Sequence, residues 1–145
     1  MNQISGTSPV VKEFEEKIAK DFDRKFGIAV SSGSSALDVA LSVLDLKEGD
    51  EVIVSPYTMS ASATSAVMCG AKPIFLDVDK DTMGLSPSAL KFFLENNTTV
   101  KNQLCINNKT GHVIKACLPV HTFGNPCRVD QIKELCDKYH VFLIE

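Results

Sequence analysis

VSSGSSALDVAL, residues 30–41, sets one glycine among four serines. The apolar run Gly27-Ile28-Ala29-Val30 comes before it, and Ala36, Val39, Ala40 and Val43 follow at helical spacing. The pattern predicts a short buried strand over residues 27–31, a turn on Gly33 and a helix to about Leu44. A helix start carries unpaired N–H groups and a partial positive charge. Serine hydroxyls add donors, and Gly33 lets the backbone come close, so phosphate is the natural guest. No Gly-Lys-Ser/Thr follows, which excludes a nucleoside-triphosphate P-loop, and there is no Gly-x-Gly-x-x-Gly dinucleotide fingerprint. Taken alone, the turn also admits a plainer reading, in which Ser34 only caps the helix.

Working outward, Val11, Phe14, Ile18 and Phe22 recur every three or four residues, with Glu and Lys between them. That is an amphipathic helix, and Ser8-Pro9 marks its start. Residues 47–50 read as a turn and 52–55 as an apolar strand stopped by Pro56. The small residues of YTMSASATSAVMCG (57–70) suit a closely packed helix with Gly70 at its C-terminal end. KPIFLDVD (72–79) is a third strand. LSPSALKFFLEN (85–96) is a helix with Ser86 as N-cap and Pro87 as first residue. Residues 96–112 are polar around Leu104-Cys105-Ile106, a long loop or a small hairpin. KACLPVHTFG (115–124) is a fourth strand and exit turn, RVDQIKELCDKY (128–139) a helix, and VFLIE (141–145) a fifth strand. Apolar strands alternating with amphipathic helices imply an α/β fold, a mainly parallel sheet with helices on both faces. Ligands in such sheets collect beyond the carboxyl ends of the strands. That rule selects residues 31–35, 55–59, 77–79 and 121–124, together with whatever follows Glu145.

The bulk chemistry narrows the partners. The net charge of −3 and the absence of a basic stripe give no case for nucleic acid. No apolar run nears the roughly 20 residues of a membrane helix, and MNQISGTSPVVKEFEE has no apolar signal core. A cytoplasmic protein that binds no membrane is expected. Five cysteines, an odd number without Cys-x-x-Cys spacing, read as free thiols and not as a metal or disulfide framework. His121 ends a strand at the ligand edge, near a cofactor or merely hydrogen-bonded in place. Asp77 and Asp79 read as loop caps, so no metal site is expected.

Four stretches stand in one order: SSGSSAL, GDEVIVSPYTMSASATSAV, GAKPIFLDVD and PVHTFGNPCRVDQIKELCDKY…VFLIE. Together they resemble the DegT/StrS-type (DegT/DnrJ/EryC/StrS) sugar aminotransferases, pyridoxal-phosphate enzymes of fold type I that act on nucleotide-linked keto-sugars. The resemblance runs from about Ser5 to Glu145. It implies a partial, aspartate-aminotransferase-like large domain and pyridoxal 5'-phosphate as cofactor. It implies transamination of a nucleotide-linked 4-keto-6-deoxy sugar, with glutamate as amino donor, toward surface polysaccharides or nonulosonic acids. A homodimer is implied as well. Gly33, Ser34 and Ser35 match the family's phosphate-holding turn, with Ser34 in place of the commoner Thr. Met59 stands where the family lays an aromatic ring on the pyridine, and a thioether can pack there instead. His121 would fall near the cofactor and Thr58 on the sugar-nucleotide side, while Tyr57 would face the pyridine ring or the sugar nucleotide, or only pack as a wall residue between helices.

The resemblance also implies what lies elsewhere. The family's carboxylate for the pyridinium nitrogen would be the residue after Glu145, and its Schiff-base Lys lies further on. Residues 1–145 then read as an incomplete cofactor-binding large domain with no catalytic residue of its own and no competence in isolation. The strand over 27–31 would lack its family neighbour, and open apolar edges favour association. Two alternatives stay open: a sugar dehydratase, in which His replaces the Lys, and a non-catalytic assembly module.

Overall fold

A computed structural model describes residues 8–145 of the chain. Two compact units divide it between Ala36 and Leu37.

The first unit holds α1 (Pro9–Asp21) and the start of α2 (Gly33–Ser42). Pro9 opens α1, where its missing N–H costs nothing, and the Ser8 carbonyl accepts from Val11 and Lys12. The strand expected over residues 27–31 does not form. A strand needs a neighbouring ladder, and no described residue supplies one. The run lies against α1 instead: the Ala29 amide donates to Glu15 Oε1 at 2.8 Å. Gly27 comes so near that a Cβ there would stand 2.4 Å from the Glu15 carbonyl oxygen. Nor is the run buried, since Ile28 is 71% exposed and Val30 39%.

The second unit is a mixed sheet of β1 (Glu51–Val54), β2 (Lys72–Phe75), β3 (Thr98–Lys101), β4 (Leu104–Asn107), β5 (Val113–Leu118) and β6 (Phe142–Leu143). The order is β2-β1-β5-β4-β3, with β6 also on β5. β1 pairs in parallel with β2 and β5, and β6 pairs in parallel with β5. The antiparallel part is the β3–β4 hairpin, which seats β4 on β5. The polar stretch 96–112 is therefore a hairpin. Asn102 and Gln103, at φ 52° and 61°, form the two-residue turn whose twist suits paired strands.

Alternation along the strands, shifted once by a register irregularity in β5 between Ile114 and Ala116, splits the interior into two cores. Ile53, Ile114 and Cys117 face α4 (Pro87–Asn97) and α5 (Val129–Tyr139), meeting Leu90, Leu94, Ile132 and Cys136. Val52, Val54, Ala116 and Leu118 face the other way and meet Leu41 of α2 and Ala66 of α3 (Ala61–Met68). Helices cover both faces, which is why β1 is apolar and buried nearly throughout.

Local signals set the element ends. Ser86 Oγ accepts from the Ala89 amide at 3.4 Å, and Pro87 follows as first helical residue. Gly70, at φ +83°, closes α3, and the Ala71 amide reaches back to the Ala66 carbonyl. At the sheet edge, the amides of Lys72 and Leu76 donate to the Asp50 and Val54 carbonyls. Strand periodicity then points the backbone nitrogens of Pro73 and Phe75 away from β1, and Pro73 has no N–H to offer there.

Candidate functional site

In the second unit the candidate residues sit beyond the carboxyl ends of β1, β5 and β6. β1 runs into Ser55-Pro56-Tyr57-Thr58-Met59, which forms a turn before α3. Ser55 is fully buried, and its Oγ has no hydrogen-bond partner among the described residues. Thr58 Oγ1 lies 2.8 Å from Ser62 Oγ, which ties the turn to the start of α3. Met59 is 78% exposed, so its thioether is free to pack against a guest.

β5 runs into His121 and a 3₁₀ turn over Thr122–Gly124. Thr122 Oγ1 lies 3.3 Å from the Tyr57 carbonyl and 3.1 Å from the Met83 carbonyl. One hydroxyl proton serves one of them at a time, and Thr122 thereby joins three loops. The Tyr57 and Phe123 rings meet edge to face, 5.9 Å between centroids and 77° between planes. Phe123 is 88% exposed at φ +54°, a left-handed conformation that a bulky residue rarely takes. His121 uses both ring nitrogens. Nδ1 accepts from the Cys127 amide at 3.1 Å, and Nε2 lies 2.9 Å from Glu145 Oε1.

The acidic loop is spent on structure. Asp77 Oδ1 accepts from the Val78 amide, the expected loop cap. Asp79 instead pairs with Arg128, whose guanidinium also bridges to Asp81. The Arg128 hydrogen bond holds the Asp81 carboxyl below its ordinary range, and Asp81 in turn raises Arg128. No group of three potential metal ligands occurs among the described residues.

In the first unit, Ser32 is the N-cap of α2: its Oγ accepts from the Ser35 amide at 3.2 Å. The Ser35 hydroxyl lies 3.1 Å from that of Ser32 and 3.4 Å from that of Ser31. The amide and hydroxyl of Ser34 have no partner among the described residues. A Cβ on Gly33 would meet nothing within 4 Å, so the approach to this helix start is open. The Ser34 amide and hydroxyl, without a partner among the described residues, and the open approach fit a phosphate. The plainer alternative, in which Ser34 only caps the helix, is not what forms, because Ser32 takes the cap. The Ser-x-x-Ser spacing of Ser32 and Ser35 was the signal for it.

The sequence candidates Tyr57, Thr58, Met59 and His121 thus share one edge of the second unit, and Gly33, Ser34 and Ser35 form the helix start of the first. The ligand-edge rule already covers Thr122 and Phe123 within residues 121–124 but gives them no role, and the sequence gives no sign of the bonds that Cys127 and Glu145 make to His121.

Helices on both faces of a largely parallel sheet, with polar and aromatic residues at the strand ends, define an open α/β domain. The chain belongs to the DegT/DnrJ/EryC1/StrS aminotransferase family, whose family model matches residues 2–145. It is 35% identical over 142 residues to the GDP-perosamine synthase of Escherichia coli O157:H7, covering 98% of this chain and 35% of that protein. Among solved structures it superposes on an aminotransferase from Psychrobacter cryohalolentis with TM-score 0.78 and 37% identity, covering 96% of this chain and 31% of that one. It superposes equally, at 0.78 and 25% identity, on ntda from Bacillus subtilis with bound cofactor PMP, covering 96% of this chain and 28% of that one. The fold is that of part of a fold type I aminotransferase large domain. The chain spans about a third of the length of the curated relatives it matches.

Proposed function

We propose that this chain supplies the phosphate-holding turn and part of the sugar pocket of a pyridoxal-phosphate-dependent aminotransferase. That enzyme moves an amino group from glutamate to a nucleotide-linked 4-keto-6-deoxy sugar, for surface polysaccharide or nonulosonic acid synthesis. The observation that carries the reading is the family match over nearly the whole chain, together with 35% identity to a GDP-perosamine synthase.

The residues take separate tasks. The amides of Gly33 and Ser34 and the Ser34 hydroxyl bind the cofactor phosphate at the start of α2. The Ser35 amide is already held by Ser32, so Ser35 shapes the turn from behind. Met59 packs its thioether on the pyridine face, and His121 presents its ring beside it. Tyr57 and Thr58 meet the sugar nucleotide. Pyridoxal phosphate, when bound, supplies an electron sink for the carbon that carries the amine. The complete enzyme works as a cytoplasmic homodimer, and no described helix is long and apolar enough to cross a membrane. The partner groups of catalysis, a Lys and a carboxylate for the ring nitrogen, belong to the remaining two thirds of the family's length.

Two experiments test this. Titration of the chain with pyridoxamine 5'-phosphate, followed by phosphorus NMR, should show saturable binding, weakened about fivefold by Ser34→Ala, one hydrogen bond's worth. Equal binding by the two proteins removes Ser34 from the site. For the reaction, this chain replaces the matching third of the E. coli GDP-perosamine synthase. A folded, cofactor-loaded hybrid should form the 4-amino sugar and 2-oxoglutarate, and a loaded hybrid that forms neither overturns the proposal.

A further inference from the structure

We infer that Glu145 is a positioning residue which, with the Cys127 amide, fixes His121 as a neutral ring protonated on Nε2, so that His121 serves its site as an oriented ring and not as a proton carrier. The inference follows from counting protons. A neutral imidazole has one N–H and one lone pair. The Cys127 N–H points at Nδ1 from 3.1 Å and can only donate, so Nδ1 carries the lone pair. The proton then sits on Nε2 and is donated to Glu145 Oε1 at 2.9 Å. Neither nitrogen is left for a ligand.

Protonating Nδ1 would set two donors face to face and open the loop that the Cys127 bond closes. That loop, residues 121–127, already contains Phe123 and Gly124 at φ +54° and +82°. The Arg128 guanidinium, next to Cys127 in the chain, is engaged by Asp79 and Asp81. Burial first, and then the charge of Glu145, push the Cys127 thiol up, so this neighbour is neutral as well. Glu145 follows β6 and His121 follows β5, two strands paired in parallel at Ala116↔Phe142 and Cys117↔Leu143. Their carboxyl ends therefore come together, and the orientation of the ring is built into the sheet.

The inference rests on the proposal that His121 is a ring of the cofactor site, and the experiment separates the two. The nitrogen-15-labelled chain is studied by long-range proton–nitrogen NMR of the imidazoles at neutral pH, with His112 and His140 as internal references. His121 should show one tautomer, unprotonated at Nδ1, with its Nε2 proton visible and slow to exchange. Glu145→Gln keeps an acceptor and should keep that proton visible. Glu145→Ala should lose it to solvent exchange while the fold is retained, a change that a merely structural role would not produce. An Nδ1–H tautomer, an imidazolium pattern, or a Glu145→Ala spectrum identical to wild type overturns the inference. Pyridoxamine 5'-phosphate is then added. Movement of the carbon-bound ring protons with the nitrogen pattern unchanged supports both readings. No movement removes His121 from the cofactor site and leaves the tautomer assignment standing. Protonation of Nδ1 on binding overturns the inference.

Discussion

Thr122 shows how much one side chain can tie together. Its hydroxyl sits between the Tyr57 and Met83 carbonyls, residues 65 and 39 positions away, and it is nearly buried. Thr122→Val keeps the shape and removes the donor, leaving two carbonyls without it. The expected cost is about 1–2 kcal/mol, read as a lower thermal midpoint, and a variant as stable as wild type would show that the hydroxyl contributes nothing. The sequence places Thr122 in the ligand-edge stretch 121–124 but not its bonds, because its chemistry depends on partners that only the fold brings near. His121 was partly visible: its place at a strand end could be read, but its bonds to Cys127 and Glu145 could not. At the start of α2 the serine cluster was legible, but which serine caps the helix was not: Ser32 does, and the alternative in which Ser34 caps it does not form.

At the scale of elements, what could be read was whatever the local chain dictates. Pro9 and Pro87 at helix starts, Ser86 as a cap and Gly70 as a terminator all act within a few residues, and each is found where the sequence predicts. Ser86→Ala should loosen the first turn of α4 and lower stability by about 1 kcal/mol, measured by urea unfolding. Ser86→Asp should largely restore it, and failure of both effects would remove the cap from the account. Residues 27–31 mark the limit of this reading. Their composition is that of a strand, yet a strand is a relation between two segments, and no described segment pairs with this one. The hairpin of β3 and β4 is the converse case. Its composition is weakly apolar, and the two left-handed residues Asn102 and Gln103 give it its register.

For the whole molecule, the buried thiols make stability depend on alkaline pH. Cys117 is pushed well up by its hydrogen bond to Cys136 and by burial, and burial also raises Cys105 and Cys127. A thiol with a raised folded value contributes fully below its unfolded value of about 8.5. The contribution is then lost as the unfolded chain releases protons that the folded chain retains. Urea midpoints should be flat through neutral pH and fall from about pH 9 upward, and Cys117→Ala should flatten that fall. Midpoints that rise over the same range would contradict it. A last consequence concerns crowded solutions, where parallel sheets lengthen by recruiting strands from other molecules. The rim formed by β2 turns a proline nitrogen outward at Pro73, so a recruited strand would find a gap in the row of donors it must match. Stacking rim to rim along β2 is therefore disfavoured at the first strand that would dock there.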